Sequence, residues 1–151
     1  MLLKQEHFSG LDGNNSALTS TVWYIPIQYA IISKNDGQYH WYPNGNTSFQ
    51  FLMPNTKQTV VHEHQANESI GLESALIVNP NYTGMYHVSY DERNWKNIGS
   101  VLLSDPDIIP TATRLQLIWT IRMSLRRKEV NPSLPLCIGE YLKVRSGNQV
   151  V

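Results

Sequence analysis

The first ninety residues alternate apolar and polar positions in short runs, which is the pattern of half-buried β-strands. In residues 21–29, Trp23, Ile25, Ile27 and Tyr29 fall on one face. Pro26 cannot donate a ladder hydrogen bond, so we expect this strand to lie at a sheet edge or to bulge there. The same pattern predicts further strands at residues 38–42, 48–53, 58–62, 74–78 and 85–90. Turn-forming clusters separate several of them, as in an antiparallel β-sandwich.

After Tyr90 the apolar spacing becomes helical. Asp91 is a good N-cap, and Trp95, Ile98 and Leu102 follow at helical intervals, which predicts a helix over residues 91–103. The Pro-containing residues 104–107 end that helix.

A second helix is predicted from Pro110 or Thr111 to residue 128. Its spacing places Leu115, Ile118, Arg122 and Leu125 on one shared face. Asn131 and Pro132 predict the start of a third helix. Its expected apolar stripe is Leu134, Cys137, Ile138, Tyr141 and Leu142.

Composition narrows the classes of protein. Twelve Lys and Arg residues balance twelve Asp and Glu residues, so no charged field favours a nucleic-acid partner. Hydrophobic residues make up 41% of the 151 residues, enough for a packed core. No apolar run approaches the ~20 residues of a membrane helix, and Lys4 interrupts the apolar start before a signal-peptide core could form. We therefore expect no signal peptide and no membrane insertion by this segment.

The most informative segment is residues 79–95, which joins a turn, a predicted strand and a helix start. Asn81 and Gly84 supply turn chemistry because both tolerate positive φ. This segment resembles the N-x-x-x-T-G-x-Y-R-V-N-Y-D-x-x-N-W segment of M1 zinc aminopeptidases of the aminopeptidase N type. The matching residues are Thr83, Gly84, Tyr86, Val88, Tyr90, Asp91, Asn94 and Trp95.

Three other segments resemble the same family in the same order. Residues 4–8 are similar to T-Q-x-R-F, residues 23–29 to W-x-I-P-L-x-Y, and residues 107–118 to D-x-I-P-x-x-x-R-A-Q-L-I. The departures from the family pattern are His7 in place of Arg, His87 and Ser89 in place of Arg and Asn, and Trp119 and Thr120 in place of an Asp pair.

The resemblance implies a fold that is mainly β and then α. Residues 1–90 would form an Ig-like antiparallel β-sandwich, the third domain of the family. Residues 91–151 would be the incomplete beginning of the helical, ERAP1-like C-terminal domain. In the family, later helices of that domain would cover the apolar surface of helix 111–128. We therefore expect this chain to expose Trp119 or to dimerise and hide it. We also expect Ile121 to belong to the uncovered surface, so that polar residues at positions 119 and 121 would improve solubility.

The resemblance also implies a reaction, the removal of N-terminal residues from peptides. That reaction needs zinc held by an H-E-x-x-H motif and a downstream Glu. These motifs lie upstream of the region that this chain resembles. We therefore expect no catalytic, cofactor-binding or metal-binding residue here, and no activity from the chain alone. The expected partners are the catalytic and helical domains of the parent enzyme, whose substrates are peptides.

Several residues could be mistaken for functional sites. His62 and Glu63 begin an H-E-x-x-H motif, but Ala66 stands in place of the second histidine; His62 and His64 could still share one strand face. For His62 and His64 we favour an exposed strand end over a pair that binds a metal.

Cys137 is read as a buried small residue. The cationic cluster at residues 126–128 is read as a complement to the helix dipole rather than a phosphate site. Tyr86 and Tyr90 are read as packing residues rather than a ligand-stacking pair.

Four N-x-Ser/Thr sequons mark possible N-glycosylation at Asn14, Asn46, Asn67 and Asn81. Together with the resemblance they favour an extracellular or plasma-membrane ectodomain origin. The alternative hypothesis is an independent extracellular Ig-like binding module without enzymatic activity, because a sandwich by itself hosts many functions.

Overall fold

The computed structural model of the chain describes residues 2–5, 22–43, 48–60, 71–134 and 138–142. Within these ranges, β-strands come first and helices follow. The strands are β1 Leu2–Lys4, β2 Ile25–Asn35, β3 Gln38–Tyr42, β4 Phe49–Met53, β5 Gln58–Val60 and β6 Ala75–Val78. The helices are α1 Glu92–Ser104 and α2 Thr111–Arg126, with 3-10 turns at Pro80–Tyr82 and Pro106–Ile108 and further helical residues at 134 and 138–142. The predicted order of antiparallel β-structure followed by helices is confirmed.

The long strand β2 is the centre of the larger sheet. Along one edge, β4 pairs with residues 25–29 and β3 with residues 31–35; on the opposite edge β6 pairs with residues 29–32. β1 and β5 form a separate two-stranded sheet. All of these pairings are antiparallel, so the sequence-predicted sheet type is correct.

Pro26 lies inside β2 without interrupting the pairing to β4, where it stands opposite Leu52. Gln28, two residues later, accepts from the Asn79 N–H on the β6 side. Because successive peptide groups point to alternate edges, Pro26 also faces the β6 side, where β6 has no residue opposite it. The missing N–H of Pro26 therefore falls on a stretch of strand edge, as expected for proline.

β2 differs from its prediction in extent. The strand begins at Ile25 instead of residue 21 and continues to Asn35. Residue 21 lies outside the described residues, and Trp23 and Tyr24 are exposed before the strand begins. Ala30, Ile31 and Ile32 are all buried because β2 is covered on both faces there. A continuous apolar run lacks the alternation from which the strand was predicted.

Gln5 joins the small sheet to the large one. Its side-chain amide donates to the carbonyls of Trp23, Pro54 and Thr56 at 2.8–3.1 Å, and its Oε1 accepts from the Trp23 N–H at 2.9 Å. The residue is only 8% exposed. A buried amide with this many partners holds three chain segments together.

The strand predicted at residues 85–90 is wrong. Within the described residues, this segment runs without regular secondary structure from Met85 to the N-cap of α1. Tyr86, His87 and Val88 are all half-buried, Ser89 is exposed and Tyr90 is buried. The alternation of residue types in this segment therefore does not correspond to a paired strand.

The helices pack on the sheet in a single buried cluster. Trp95, Ile98 and Leu102 of α1 are at most 2% exposed, as predicted from their spacing. Asp91 caps α1 by accepting from the Asn94 N–H at 2.7 Å. The cluster combines residues of β2, β6, α1 and α2 with Leu134, Ile138 and Tyr141. No helix among the described residues is long and apolar enough to cross a membrane.

Candidate functional site: the junction of sheet and helices

The outward edge of β6 is where sheet and helices meet. Within the described residues, β6 pairs with β2 along one edge, and the peptide groups of Ser74, Leu76 and Val78 point away from β2. An unpaired strand edge normally invites association with another strand. Here three side chains occupy it. We call Tyr90, Asn94 and Asn97 the β6 clamp.

The clamp residues bond outward peptide groups of β6 and of the residues that lead into it. Asn94 Oδ1 accepts from the Leu76 N–H at 2.8 Å, and its Nδ2 donates to the Leu76 carbonyl at 2.8 Å. Asn97 Nδ2 donates to the carbonyls of Ser74 and Leu72 at 2.8 and 3.1 Å. The clamp thus bonds β6 as a neighbouring strand would, with side chains in place of a ladder.

Tyr90 completes the clamp at the end of β6. Its hydroxyl accepts from the Val78 N–H at 2.8 Å and lies 3.3 Å from the Val78 carbonyl, to which it donates. Gln116 Nε2 of α2 donates to the same carbonyl at 3.3 Å. The Tyr90 ring meets Trp95 edge to face, with centroids 5.2 Å apart. Burial raises the pKa of Tyr90, so the hydroxyl remains a donor at neutral pH.

Tyr86 makes the equivalent contact with β2. Its hydroxyl accepts from the Gln28 N–H at 3.3 Å, next to the point where the Gln28 carbonyl accepts from Asn79. Burial raises the pKa of Tyr86 as well. Tyr86 and Tyr90 were predicted to be packing residues. Their hydroxyls also bond strand edges, that of Tyr86 on β2 and that of Tyr90 on β6.

The loop at residues 79–84 is built around Asn79. This residue is fully buried in the left-handed conformation, with φ 58°. Its Oδ1 accepts from the Gly84 N–H and its Nδ2 donates to the Gly84 carbonyl, both at 2.7 Å. Of the two residues expected to tolerate positive φ, Asn81 has it and Gly84 does not. Gly84 is needed for a different reason: an added Cβ would lie 2.2 Å from the Tyr86 ring.

A polar cluster links residues 87–89 to the end of α2. Ser89 donates to Glu129 at 3.0 Å and lies 3.5 Å from the Ser124 hydroxyl, while Arg127 pairs with Glu129 at 2.8 Å. Burial lowers the pKa of the neighbouring His87; Glu129 opposes this shift and Arg127 adds to it. His87 and Ser89, which depart from the family pattern, thus lie together against α2.

Helix α2 buries a face that mixes polar and apolar residues. Its buried residues are Thr113, Gln116, Leu117, Thr120, Ile121 and Ser124. Of the residues predicted to share one face, Leu115 is 64% exposed and Arg122 is exposed, whereas Ile118 and Leu125 are half-buried. Trp119 is 49% exposed, as expected. The inner face of α2 is therefore more polar than part of its outer face.

The structure separates the sequence-predicted site residues. Asn81 is exposed, and its Oδ1 accepts from the Thr113 hydroxyl at 3.3 Å. Of the cationic cluster, Arg126 is exposed at the end of α2 and Lys128 follows it with φ 57°. The remaining positions lie outside the described residues: Asn14, Asn46, Asn67, His7, His62, His64 and Cys137.

In the described part of the chain, no three His, Cys, Asp or Glu side chains are grouped so that they could hold a metal ion. These residues therefore do not fit a zinc centre, and we derive no chemical step from them.

Sequence reasoning missed three residues of the junction and its surroundings: Gln5, Asn79 and Asn97. Each has an amide side chain that bonds backbone groups five or more positions away along the chain. Two of them left a signal, because Gln5 and Asn79 stand at fixed positions of the motifs quoted above. Asn97 left none.

Comparison with known proteins gives consistent matches. The chain is 31% identical over 118 residues to Aminopeptidase N of Rattus norvegicus, covering 76% of the chain and 10% of that protein. It is 34% identical over 120 residues to Aminopeptidase Q of Homo sapiens, covering 78% and 10%. It is 28% identical over 126 residues to Aminopeptidase N of Plutella xylostella, covering 82% and 12%. The chain spans about a tenth of the length of these curated relatives. No family model matches it.

Proposed function

The chain carries a region of the M1 aminopeptidase family, and on that premise we propose that it is a non-catalytic spacer. In this role the β-sheet region holds the first helices of the helical domain at a fixed position. The whole enzyme, of which the catalytic and later helical parts would be the partners, would remove N-terminal residues from peptides.

The observation that carries the proposal is the β6 clamp. Asn94 and Asn97 project from α1, and Tyr90 immediately precedes its N-cap. All three bond the same strand edge, so α1 cannot slide or rotate on the sheet without breaking several hydrogen bonds at once. Each of these bonds involves a buried or part-buried backbone group, whose loss costs about 1–3 kcal/mol. Such a joint suits a spacer better than a hinge.

Zinc belongs to this proposal only through the parent enzyme. The described residues offer no donor set for it. In the parent, a catalytic zinc would be held by the upstream motifs of the family, and this region would act on the reaction by placing the helices around the substrate space.

We also propose an extracellular setting with N-glycosylation. Asn81 is the one sequon asparagine among the described residues, and its exposure leaves room for a glycan. Expression through a secretory pathway, followed by enzymatic deglycosylation and mass spectrometry, tests this at Asn14, Asn46, Asn67 and Asn81. An unmodified Asn81 in secreted protein would contradict the assignment at that residue.

The spacer role is tested by measuring a distance between sheet and helix. Spin labels at Asp36, in the β2–β3 turn, and at Arg122, on α2, are both at exposed positions; Cys137→Ser leaves only the introduced thiols. We expect a narrow distance distribution for the labelled chain without further substitution and a broader one for the labelled chain with Tyr90→Phe/Asn94→Ala. Glu92→Ala, at an exposed position of α1, is the control. A broad distribution in the chain without further substitution would show that the sheet does not fix the helices.

A further inference from the structure

Helix α2 ends in a closed turn that holds Glu129 in one position. The Glu129 N–H donates to the Ser124 carbonyl at 2.9 Å, and the Lys128 N–H donates to the Leu125 carbonyl at 3.0 Å. This pair of bonds is the Schellman motif, in which the residue after the helix cap takes the left-handed conformation. Lys128 is that residue, with φ 57°. The backbone of Glu129 is therefore fixed by the end of the helix.

The carboxylate of Glu129 joins this turn to the segment that leads into α1. Its Oε2 accepts from the Ser89 hydroxyl at 3.0 Å, and its Oε1 pairs with Arg127 Nε at 2.8 Å. The Ser89 hydroxyl also lies 3.5 Å from the hydroxyl of the fully buried Ser124. The Arg127 and Glu129 side chains are only 27% and 26% exposed. We call Ser89, Ser124, Arg127 and Glu129 the α2 latch, because they hold the end of α2 against that segment.

His87 places a titratable imidazole beside the α2 latch. It is half-buried and lies two residues before Ser89. Glu129 and Arg127 are both close enough to act on its charge, the carboxylate favouring the cation and the guanidinium opposing it. A protonated His87 would therefore share one partly buried carboxylate with Arg127. It would also carry its charge with only part of its surface in water, which disfavours the charged form.

Four other titratable groups on these two segments leave the charge of the imidazole uncompensated. Tyr86 and Tyr90, on its own segment, are neutral at and below pH 7, because burial raises their pKa. Arg126 and Lys128, in the turn after α2, are exposed, so the solvent screens their charges. The positive charge of a protonated His87 is therefore best relieved by movement of its side chain into water.

We propose that His87 makes the α2 latch sensitive to pH: protonation favours an open state in which residues 87–89 turn toward solvent, the Ser89–Glu129 bond is broken and the end of α2 is released. The latch is closed while His87 is neutral and opens as the pH falls below about 6.5. The family pattern has Arg and Asn at positions 87 and 89, so this device belongs to the present chain. The inference stands on the latch and is independent of the spacer role.

Hydrogen exchange of the full chain, followed by NMR at pH 7.5 and pH 5, tests this proposal. The Glu129 amide reports the latch, and the amide of Ile98, a fully buried residue of α1, reports unfolding of the whole chain. After correction for the intrinsic exchange rate, we expect the protection of Glu129 to fall about tenfold on acidification; an open-state pKa of 6.5 sets a ceiling of ~30-fold. Glu129 should be less protected than Ile98 at both pH values, which marks a local opening.

Three variants assign the effect to the cluster. His87→Gln keeps a polar side chain that does not titrate, so the protection of Glu129 should be the same at the two pH values. Arg127→Gln removes a cation that opposes protonation of His87 in the closed state, so the fall in protection should become smaller. Arg126→Gln makes the same change at the exposed neighbouring arginine; it is the matched control and should preserve the fall.

Three outcomes would overturn the proposal. Protection of Glu129 that does not change with pH would show that opening of the latch leaves His87 in place. Equal protection of Glu129 and Ile98 at both pH values would show that the latch opens only when the whole chain unfolds. An unaltered fall in protection in His87→Gln would assign the pH dependence to another group.

Discussion

At the scale of single residues, the junction depends on side chains that carry both a donor and an acceptor. The carboxamide of Asn94 and the hydroxyl of Tyr90 each bond the N–H and the C=O of one residue of β6. Few side chains can do both. These side-chain bonds explain how the outward edge of β6 is satisfied where, among the described residues, no strand lies beside it.

Removing the Tyr90 hydroxyl tests this explanation. Tyr90→Phe keeps the ring against Trp95 but leaves the buried Val78 N–H without its partner, so we expect a loss of about 1–3 kcal/mol in the free energy of unfolding. Denaturant unfolding measures the loss, and hydrogen exchange at Val78 should quicken. Tyr82→Phe, at an exposed tyrosine, should change neither. An unchanged free energy of unfolding in Tyr90→Phe would show that the Tyr90 hydroxyl does not stabilise the junction.

His87 predicts a dependence of stability on pH. Burial lowers its folded-state pKa below the ordinary value of 6.5, with Glu129 opposing and Arg127 assisting the shift. The unfolded chain therefore binds a proton more readily than the folded chain. The contribution of His87 to the free energy of unfolding is therefore fully present above pH 6.5. It is lost as the pH falls from there toward the folded-state pKa.

Thermal unfolding of the parent chain and of His87→Gln between pH 7.5 and 5 measures this effect. We expect the parent to lose more stability than His87→Gln on acidification. Parallel curves for the parent and His87→Gln would show that His87 contributes no pH dependence.

At the scale of elements, α2 buries polar and apolar residues together and exposes two large apolar ones, Leu115 and Trp119. The expectation that Trp119 and Ile121 are both uncovered is half correct, because Trp119 is 49% exposed but Ile121 is 4% exposed. The two residues are two positions apart and so face different directions on a helix.

Polar substitutions should separate the two faces. Leu115→Gln/Trp119→Gln should raise solubility and leave unfolding nearly unchanged, since both side chains already contact solvent. Ile121→Gln should cost about 2–4 kcal/mol, because it places an amide in the core. Static light scattering and denaturant unfolding measure the two effects. Cooperative unfolding of the whole chain by the Leu115/Trp119 pair would mean that the outer face belongs to the core.

At the scale of the whole molecule, the sheet and the helices share one buried cluster. The predicted boundary at residue 90 passes through this cluster, between Tyr90 and its N-cap neighbour Asp91. Contacts that cross a boundary couple the stability of the two sides. The division into residues 1–90 and 91–151 remains a prediction about the parent enzyme.

The shared cluster predicts one unfolding transition for the chain. Far-ultraviolet circular dichroism and tryptophan fluorescence should give the same midpoint in denaturant, because Trp41 lies in the sheet and Trp95 in α1. Two separated midpoints would instead show that residues 1–90 fold independently.

The proposed absence of catalysis is also a property of the whole molecule. Purified chain should not hydrolyse aminoacyl chromogenic substrates, with or without added zinc, because the motifs for zinc and the general base lie outside its sequence. A full-length aminopeptidase is the positive control. Chelator-sensitive turnover that co-purifies with the chain would defeat the proposal of a non-catalytic region.

The sequence by itself determined the features that depend on neighbours along the chain. Asp91 at the start of α1, the strand at residues 38–42, positive φ at Asn81 and the burial of Trp95, Ile98 and Leu102 all follow from short-range pattern and turn chemistry. The motifs at residues 4–8, 23–29, 79–95 and 107–118 also carried the family relationship. They needed no knowledge of which segments meet.

Only the tertiary structure decided the features that depend on distant partners. Residues 85–90 alternate in residue type like a strand, yet they form none, and the outward edge of β6 is bonded by the side chains of Tyr90 and Asn94. The inner face of α2 is polar because Gln116 and Thr113 bond backbone groups of residues 78 and 81. Apolar periodicity records how much of a side chain is buried, whereas the partner that buries it is set by the packing of the whole chain.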